Sequence, residues 1–243
     1  MSDSVAANPE QQPPSKSFLG RLVGVYLSPG ETFDDIVRKP DFLLPLIVLV
    51  AGSVAVTETL LAKIGMVRII QRELERRGSA PLTPEQMAGA VQVQSIVAHV
   101  VGVVALPIVL LIVAGIGLLI VNALFGAKVG FKTAFAVTCY SNLIGILSVL
   151  MGLAVILFGD PEHFNVNAFV PSNPGFFLNP LETSKPLMAL ATSVDIFTIW
   201  WMALLGIGFS AATLGKVKAK TVFLIYFGLW VIWVLGKVGW AAI

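Results

Sequence analysis

The sequence predicts an all-α, polytopic membrane helix bundle with five transmembrane helices. Short N-terminal amphipathic helices and an extramembrane helical hairpin between the first and second spans complete it. Three observations predict this class. Of the 243 residues, 56% are hydrophobic and 12% are charged, about half the charged share of a soluble domain. Mean hydropathy is +0.88, and so little polar surface cannot cover a water-soluble globule of this size. Residues 96–125 and 133–159 contain no Asp, Glu, Lys or Arg, and apolar runs of that length read as spans.

Residues 1–16 are polar and rich in Pro, Gln and Ser and read as a disordered tail. They have no apolar core ahead of a cleavage site, so no signal peptide is expected. Residues 17–243 form the membrane domain. In residues 17–26, Phe18, Leu19, Leu22, Val23 and Tyr26 fall on one helical face and Arg21 on the other,. Ser28-Pro29-Gly30-Glu31 is a helix start with a capping serine, proline at the first position and a glutamate to close the box,. Phe33, Ile36 and Val37 give this second helix an apolar side, and Pro40 ends it,. Both pieces are too short to span. Two placements fit them: the lipid interface, or the protein's own cytoplasmic face.

The spans are expected at about residues 42–61, 96–125, 133–158, 188–214 and 221–242. The second is about 45 Å long at a rise of about 1.5 Å per residue. It must tilt or protrude from a hydrocarbon core of about 30 Å. Pro107 lies within it, and no span reads as broken. Trp230, Trp233 and Trp240 suit a last span that reaches the interface,. Residues 63–94 read as the extramembrane hairpin, whose first arm carries Arg68, Arg72, Glu73, Glu75, Arg76 and Arg77. Its second arm starts at Thr83-Pro84-Glu85-Gln86, another capping box, and runs into the second span,. Residues 126–132 and 215–220 are tight turns, and 160–185 is a longer, proline-rich loop. Lys216, Lys218 and Lys220 lie in one short turn, while the 160–185 loop holds only Lys185. The positive-inside rule then puts the N-terminus in the cytoplasm and the C-terminus outside.

Leu27-Ser28-Pro29-Gly30-Glu31-Thr32-Phe33 ahead of five spans, with Ser193-Val194-Asp195-Ile196-Phe197-Thr198-Ile199-Trp200 in the fourth, resembles the Ypt-interacting-protein (Yip-type) membrane domain family in its prokaryotic branch. The resemblance covers roughly residues 17–238. It implies five spans, a cytoplasmic N-terminus and, for a prokaryotic chain, the cell (cytoplasmic) membrane. Eukaryotic relatives act in vesicle traffic with small GTPases of the Rab type. This chain lacks the aspartate-leucine-tyrosine-glycine-proline segment of that branch, so small-GTPase binding is not carried over. The expected partners are membrane lipids and other membrane proteins. A net charge of +2 gives no argument for nucleic acid,.

No soluble-enzyme signature is present, and His99 and His163 are not at ligand spacing,. No cofactor or metal is expected. The single cysteine, Cys139, makes no internal disulfide and reads as a small buried hydrophobe. Polar groups at membrane depth are the better lead. Asp195, with Thr192 and Thr198 three residues to either side, reads either as a proton- or ion-linked carboxylate or as an interhelical tie. Asn122 and Asn142 read as further ties, and Ser141, Gly145, Ser148 and Gly152 as a close-packing seam,. Glu58, His99, Asp195 and Lys237 share the half of the membrane away from the cytoplasm, with Asp195 deepest and Glu58 and Lys237 nearer the rim. Two function classes fit: a non-enzymatic membrane scaffold or adaptor, and a transporter, channel or lipid-moving protein using the intramembrane carboxylate.

Overall fold

A computed structural model describes residues 15–159, 170–180 and 182–242. The described residues are mostly helical, with no strand among them. Two short helices, α1 (Phe18–Leu27) and α2 (Pro29–Arg38), are followed by α3 (Leu43–Lys63), α4 (Met66–Arg77) and α5 (Pro84–Leu118). α5 passes into a π-helical turn, Leu119–Leu124. Then come α6 (Phe131–Asn142), α7 (Gly145–Phe158), a 3₁₀ turn at Pro174–Phe177, α8 (Lys185–Ala191), α9 (Ile196–Ala212) and α10 (Ala219–Ala241).

Four stretches are long and apolar enough to cross a bilayer: Leu43–Lys63, Pro84–Leu124, Phe131–Phe158 and Ala219–Ala241. α8 and α9 pass the same test together, but are bent by 47° at the residues between them, and form a fifth crossing if the pair is one span. This corrects the expectation of unbroken spans. Helical hydrogen bonding stops at Thr192–Asp195, and the third crossing is likewise divided into α6 and α7 at Leu143 and Ile144.

The capping chemistry decides where several helices begin. The Thr83 hydroxyl oxygen accepts a hydrogen bond from the Gln86 backbone amide while Gln86 Oε1 accepts one from the Thr83 amide, a complete capping box at the start of α5,. Ser28 behaves differently. It stands before Pro29 as expected, but its side chain makes no capping bond, and Glu31 instead approaches Lys16 Nζ at 3.8 Å. α4 ends at Gly78, whose left-handed backbone (φ 66°) lets the amides of Gly78 and Ser79 reach the carbonyls of Glu75 and Leu74,. On α4, Arg76 and Arg77 both reach Glu73 Oε1 at 2.6 Å. The hydrogen bond from Arg76 holds the Glu73 carboxyl below its ordinary range.

The tightly packed core lies where α1, α2, α6, α9, the end of α5 and the start of α10 meet. Phe33 and Ile36 of α2 are fully buried, as are Val137 and Tyr140 of α6 and Leu205 and Phe209 of α9. Burial of each such side chain is worth about 1.5–3 kcal/mol relative to water. Two glycines make the close approach possible: a Cβ on Gly117 would overlap the Phe209 ring, and one on Gly208 would meet Val137 and Phe33. α3 contributes only Pro45 and Leu49 to the interior. It packs on α5 and α7, and its exposed Leu43, Leu44 and Ile47, with the exposed valines at 100, 101, 103 and 104 of α5, are left for lipid.

The N-terminal helices are docked on the protein rather than laid flat beside it. α2 packs on α9 and α6, and α1 packs on α2 and α6. Tyr26 donates a 2.5 Å hydrogen bond to the Leu143 carbonyl at the division of the third crossing. The expected tail also ends earlier than residue 16. The Lys16 amide donates to Asp35 at 3.1 Å and its ammonium to Thr32 at 3.2 Å, and Ser17 caps α1. The rest of that tail, residues 1–14, lies outside the described residues, as does His163.

Candidate functional site

The two helix divisions face one another across a cavity of about 400 Å³. One wall comes from the α6–α7 junction, with Asn142, Gly145 and Ser148; the other from the α8–α9 break and α9, with Thr192, Asp195, Thr198 and Trp201. Asn173, from the segment before the 3₁₀ turn, closes a third side. Four residues singled out from the sequence, Asn142, Thr192, Asp195 and Thr198, therefore line one space.

Asp195 sits at the start of a helix, not in the middle of one. Its Oδ1 accepts from the amides of Phe197 at 2.8 Å and Thr198 at 3.2 Å, and its Oδ2 accepts from the Ser172 hydroxyl. The Ile196 amide donates to the Ser172 carbonyl at 3.3 Å. A carboxylate here satisfies orphan amides and matches the positive end of the helix dipole. The hydroxyls of the flanking Thr192 and Thr198 are not what holds Asp195. Thr198 contributes its amide, and the Thr192 hydroxyl turns back to the Met188 carbonyl at 2.8 Å.

Lys237 completes the break from the other side. It was expected nearer the rim, yet its ammonium donates to Thr192 Oγ1 at 3.2 Å and Ser193 Oγ at 3.0 Å. It also lies 5.5 Å from the Trp233 ring centroid. Those two hydroxyls follow the C-terminus of α8, where a positive charge matches the negative end of the dipole. The broken span thus has a cation at one internal end and an anion at the other. Lys237→Met removes the cation and the two hydrogen bonds it donates, so the thermal midpoint in detergent should fall, by about 1–3 kcal/mol of stability. Lys237→Arg should fall less.

Other expected residues lie elsewhere. Glu58 is not brought to the cavity. It is half-exposed and pairs with His99 Nε2 at 3.1 Å across α3 and α5. Asn122, expected to tie two helices, instead clamps its own turn: its amide donates to the Val129 carbonyl and its carbonyl accepts from the Val129 amide, both at 2.9 Å. Of the small-residue seam, Gly145 and Ser148 open onto the cavity, while Ser141 and Gly152 are buried. Among the described residues no group of three or more His, Cys, Asp or Glu side chains is placed to hold a metal ion.

The most concentrated electrostatic feature is one that the helical pattern misassigned. Arg21 is not on the outer side of α1. It is 1% exposed. Its Nε reaches Asp35 Oδ2 at 2.8 Å and its Nη1 reaches Asp41 Oδ2 at 2.9 Å. Further donors meet the carbonyls of Lys39 and Asp35 at 3.1 and 3.3 Å. Tyr140 donates to Asp41 Oδ1 at 2.6 Å, and Arg38 reaches Asp35 Oδ1 at 3.2 Å. Burial opposes the charge on Arg21, but hydrogen bonding with Tyr140 and Asp35 and the charges of Asp41 and Asp35 outweigh it and raise its pKa. This clamp fixes α1 to α2, α6 and the start of α3. In consequence Leu19, Val23 and Leu27, at i, i+4 and i+8, face outward and are 68%, 54% and 80% exposed.

These features define a multi-pass helical membrane protein with a docked N-terminal helical hairpin. The chain belongs to the Yip1-domain family: the family model described as the Yip1 domain matches residues 23–240, nearly the whole chain. No curated protein and no solved structure matches it.

Proposed function

We propose that this protein is a non-enzymatic membrane scaffold or adaptor that organises the bilayer around it through α1. It sits in the cell (cytoplasmic) membrane with its N-terminus on the cytoplasmic side. The observation that carries the reading is the outward row of Leu19, Val23 and Leu27 on a helix that the Arg21 clamp holds rigidly. An apolar helix face at the interface buries itself among headgroups and acyl chains. Because the helix is fixed to the bundle, its insertion displaces lipid on one side only. The lysines at 128, 132, 216, 218 and 220 follow the same N-terminal side in a five-span topology. Lys216 Nζ, 3.2 Å from the Gly126 carbonyl, joins the two turns that carry them. The partners are membrane lipids first and other membrane proteins second.

The test is reconstitution into vesicles at equal protein incorporation, with diameters measured by electron cryomicroscopy. The wild-type chain should yield smaller vesicles than protein-free lipid. The triple variant Leu19→Ser, Val23→Ser, Leu27→Ser should restore the protein-free distribution. Equal diameters for wild type and variant would overturn the reading. A second reading, movement of a solute or lipid through the bundle, is favoured by the bent fourth crossing and its cavity,. The three hydrogen bonds already made to Asp195 weigh against a carboxylate that cycles its proton.

A further inference from the structure

We infer that the cavity between the two helix breaks is a binding site for a ligand head that carries a primary ammonium beside a hydrogen-bond acceptor. The inference is independent of the scaffold reading. It starts from two polar atoms that should not be left as they are. Asn173 is 9% exposed. Its amide group donates to the Val170 carbonyl at 3.0 Å, but its Oδ1 is buried and has no partner among the described residues. The indole Nε1 of Trp201 is in the same condition. Both residues line the cavity. A buried acceptor or donor without a partner costs about 1–3 kcal/mol, and such exceptions call for an explanation. One lone acceptor and one lone donor on one cavity ask for a ligand with complementary groups.

The rest of the lining specifies the charge. Asp195 makes no ion pair among the described residues. Its three hydrogen bonds leave room for one more donor, since a carboxylate offers about four lone-pair sites. Trp201 and Phe197 add aromatic surface, which attracts cations. Carboxylate, amide oxygen and aromatic face together suit an ammonium that has N–H donors. The Trp201 indole then serves an acceptor next to it, such as a phosphate oxygen. The volume, about 400 Å³, lies within the roughly 300–1,000 Å³ of small-molecule sites. Lys237 does not occupy the position, because its ammonium is held by the Thr192 and Ser193 hydroxyls.

This head chemistry has two sources, a free phosphoamine or the headgroup of an aminophospholipid. Val109 lines both the polar cavity and a second, apolar groove of about 500 Å³ between α3, α4 and α5. An acyl chain has a place to lie beside the head.

The experiment uses the full chain, delipidated in detergent. Native mass spectrometry follows retention of phosphatidylethanolamine, phosphatidylcholine and phosphatidylglycerol of identical acyl chains; thermal shift follows free phosphoethanolamine. Phosphatidylethanolamine should be retained roughly tenfold better than the other two, and Asp195→Asn should lower this by roughly tenfold, the usual size of one charge-assisted hydrogen bond. Asparagine still caps α9, so that variant keeps the fold. Asn173→Leu, which removes the other acceptor, should weaken retention in the same order, and Glu58→Gln should leave it unchanged. A shift with phosphoethanolamine and no lipid preference upholds the site and assigns it to the free amine. Equal retention of all three lipids with no phosphoethanolamine shift, or retention by both cavity variants equal to wild type, would overturn the proposal and leave the cavity to water.

Discussion

Arg21→Ala should destabilise the protein by about 3 kcal/mol, because it takes the closest counter-ion from a buried carboxylate and leaves it only the part-exposed Arg38 at 3.2 Å,. Asp35 is the residue at stake: its side chain is 2% exposed and its nearest cation is Arg21 Nε at 2.8 Å. Asp41 is half-exposed, retains the Tyr140 hydroxyl at 2.6 Å, and suffers less. The measurement is thermal unfolding of the purified protein in detergent, with protease sensitivity near Arg38 reporting release of α2. Arg21→Lys should recover only part of the loss, since an ammonium cannot serve two carboxylates and two carbonyls in the geometry of a guanidinium fork. The double change Arg21→Met, Asp35→Leu should recover more than either single change, because it removes both charges together. A single Arg21→Ala variant as stable as wild type would show that the clamp does not hold α1.

The second large effect is expected at Gly208. A Cβ there would stand 2.5 Å from Val137 Cγ1 and 2.9 Å from Phe33 Cδ1. Gly208→Leu must therefore part α2 and α6 from α9, at a cost of at least about 1–3 kcal/mol for overpacking. Pairing Gly208→Ala with Val137→Ala should give a more stable protein than Gly208→Ala alone, since removing the Val137 Cγ1 atom, 2.5 Å from the new Cβ, yields the space. Strictly additive losses, measured in the same thermal assay, would deny the contact.

The crossings were legible in the sequence because lipid selects long apolar runs, and the start of α5 because Thr83 and Gln86 close a capping box within four residues. What could not be read is what long-range partners decide. Arg21 looked like the polar side of an amphipathic helix. Its partners Asp35 and Asp41 lie 14 and 20 residues on, beyond the reach of helical periodicity. The available signal was a lone guanidinium on an apolar helix with two carboxylates shortly after it. The break in the fourth crossing had a local signal too. Ser193-Val194-Asp195 ahead of an apolar run is a helix start of the same kind as Thr83-Pro84. Inside a long hydrophobic segment it reads as one polar face of a continuous helix. The chain can stop there because Ser172 and Lys237 come from elsewhere to serve the two internal ends. The Glu58–His99 pair shows the same limit on a smaller scale: the sequence placed both at one end of the bundle but not side by side.

The arrangement of crossings supports every functional statement above, and the two chain ends test it most directly. Ser15 and Ala242 are both exposed. In a Cys139→Ala background, Ser15→Cys and Ala242→Cys are treated separately with a membrane-impermeant thiol reagent on intact cells. Five crossings with a cytoplasmic N-terminus predict labelling at position 242 and protection at position 15 until the cells are opened. Labelling of both positions, or protection of both, would mean that α8 and α9 do not complete a crossing. Labelling at 15 with protection at 242 would invert the orientation and put α1 on the opposite leaflet.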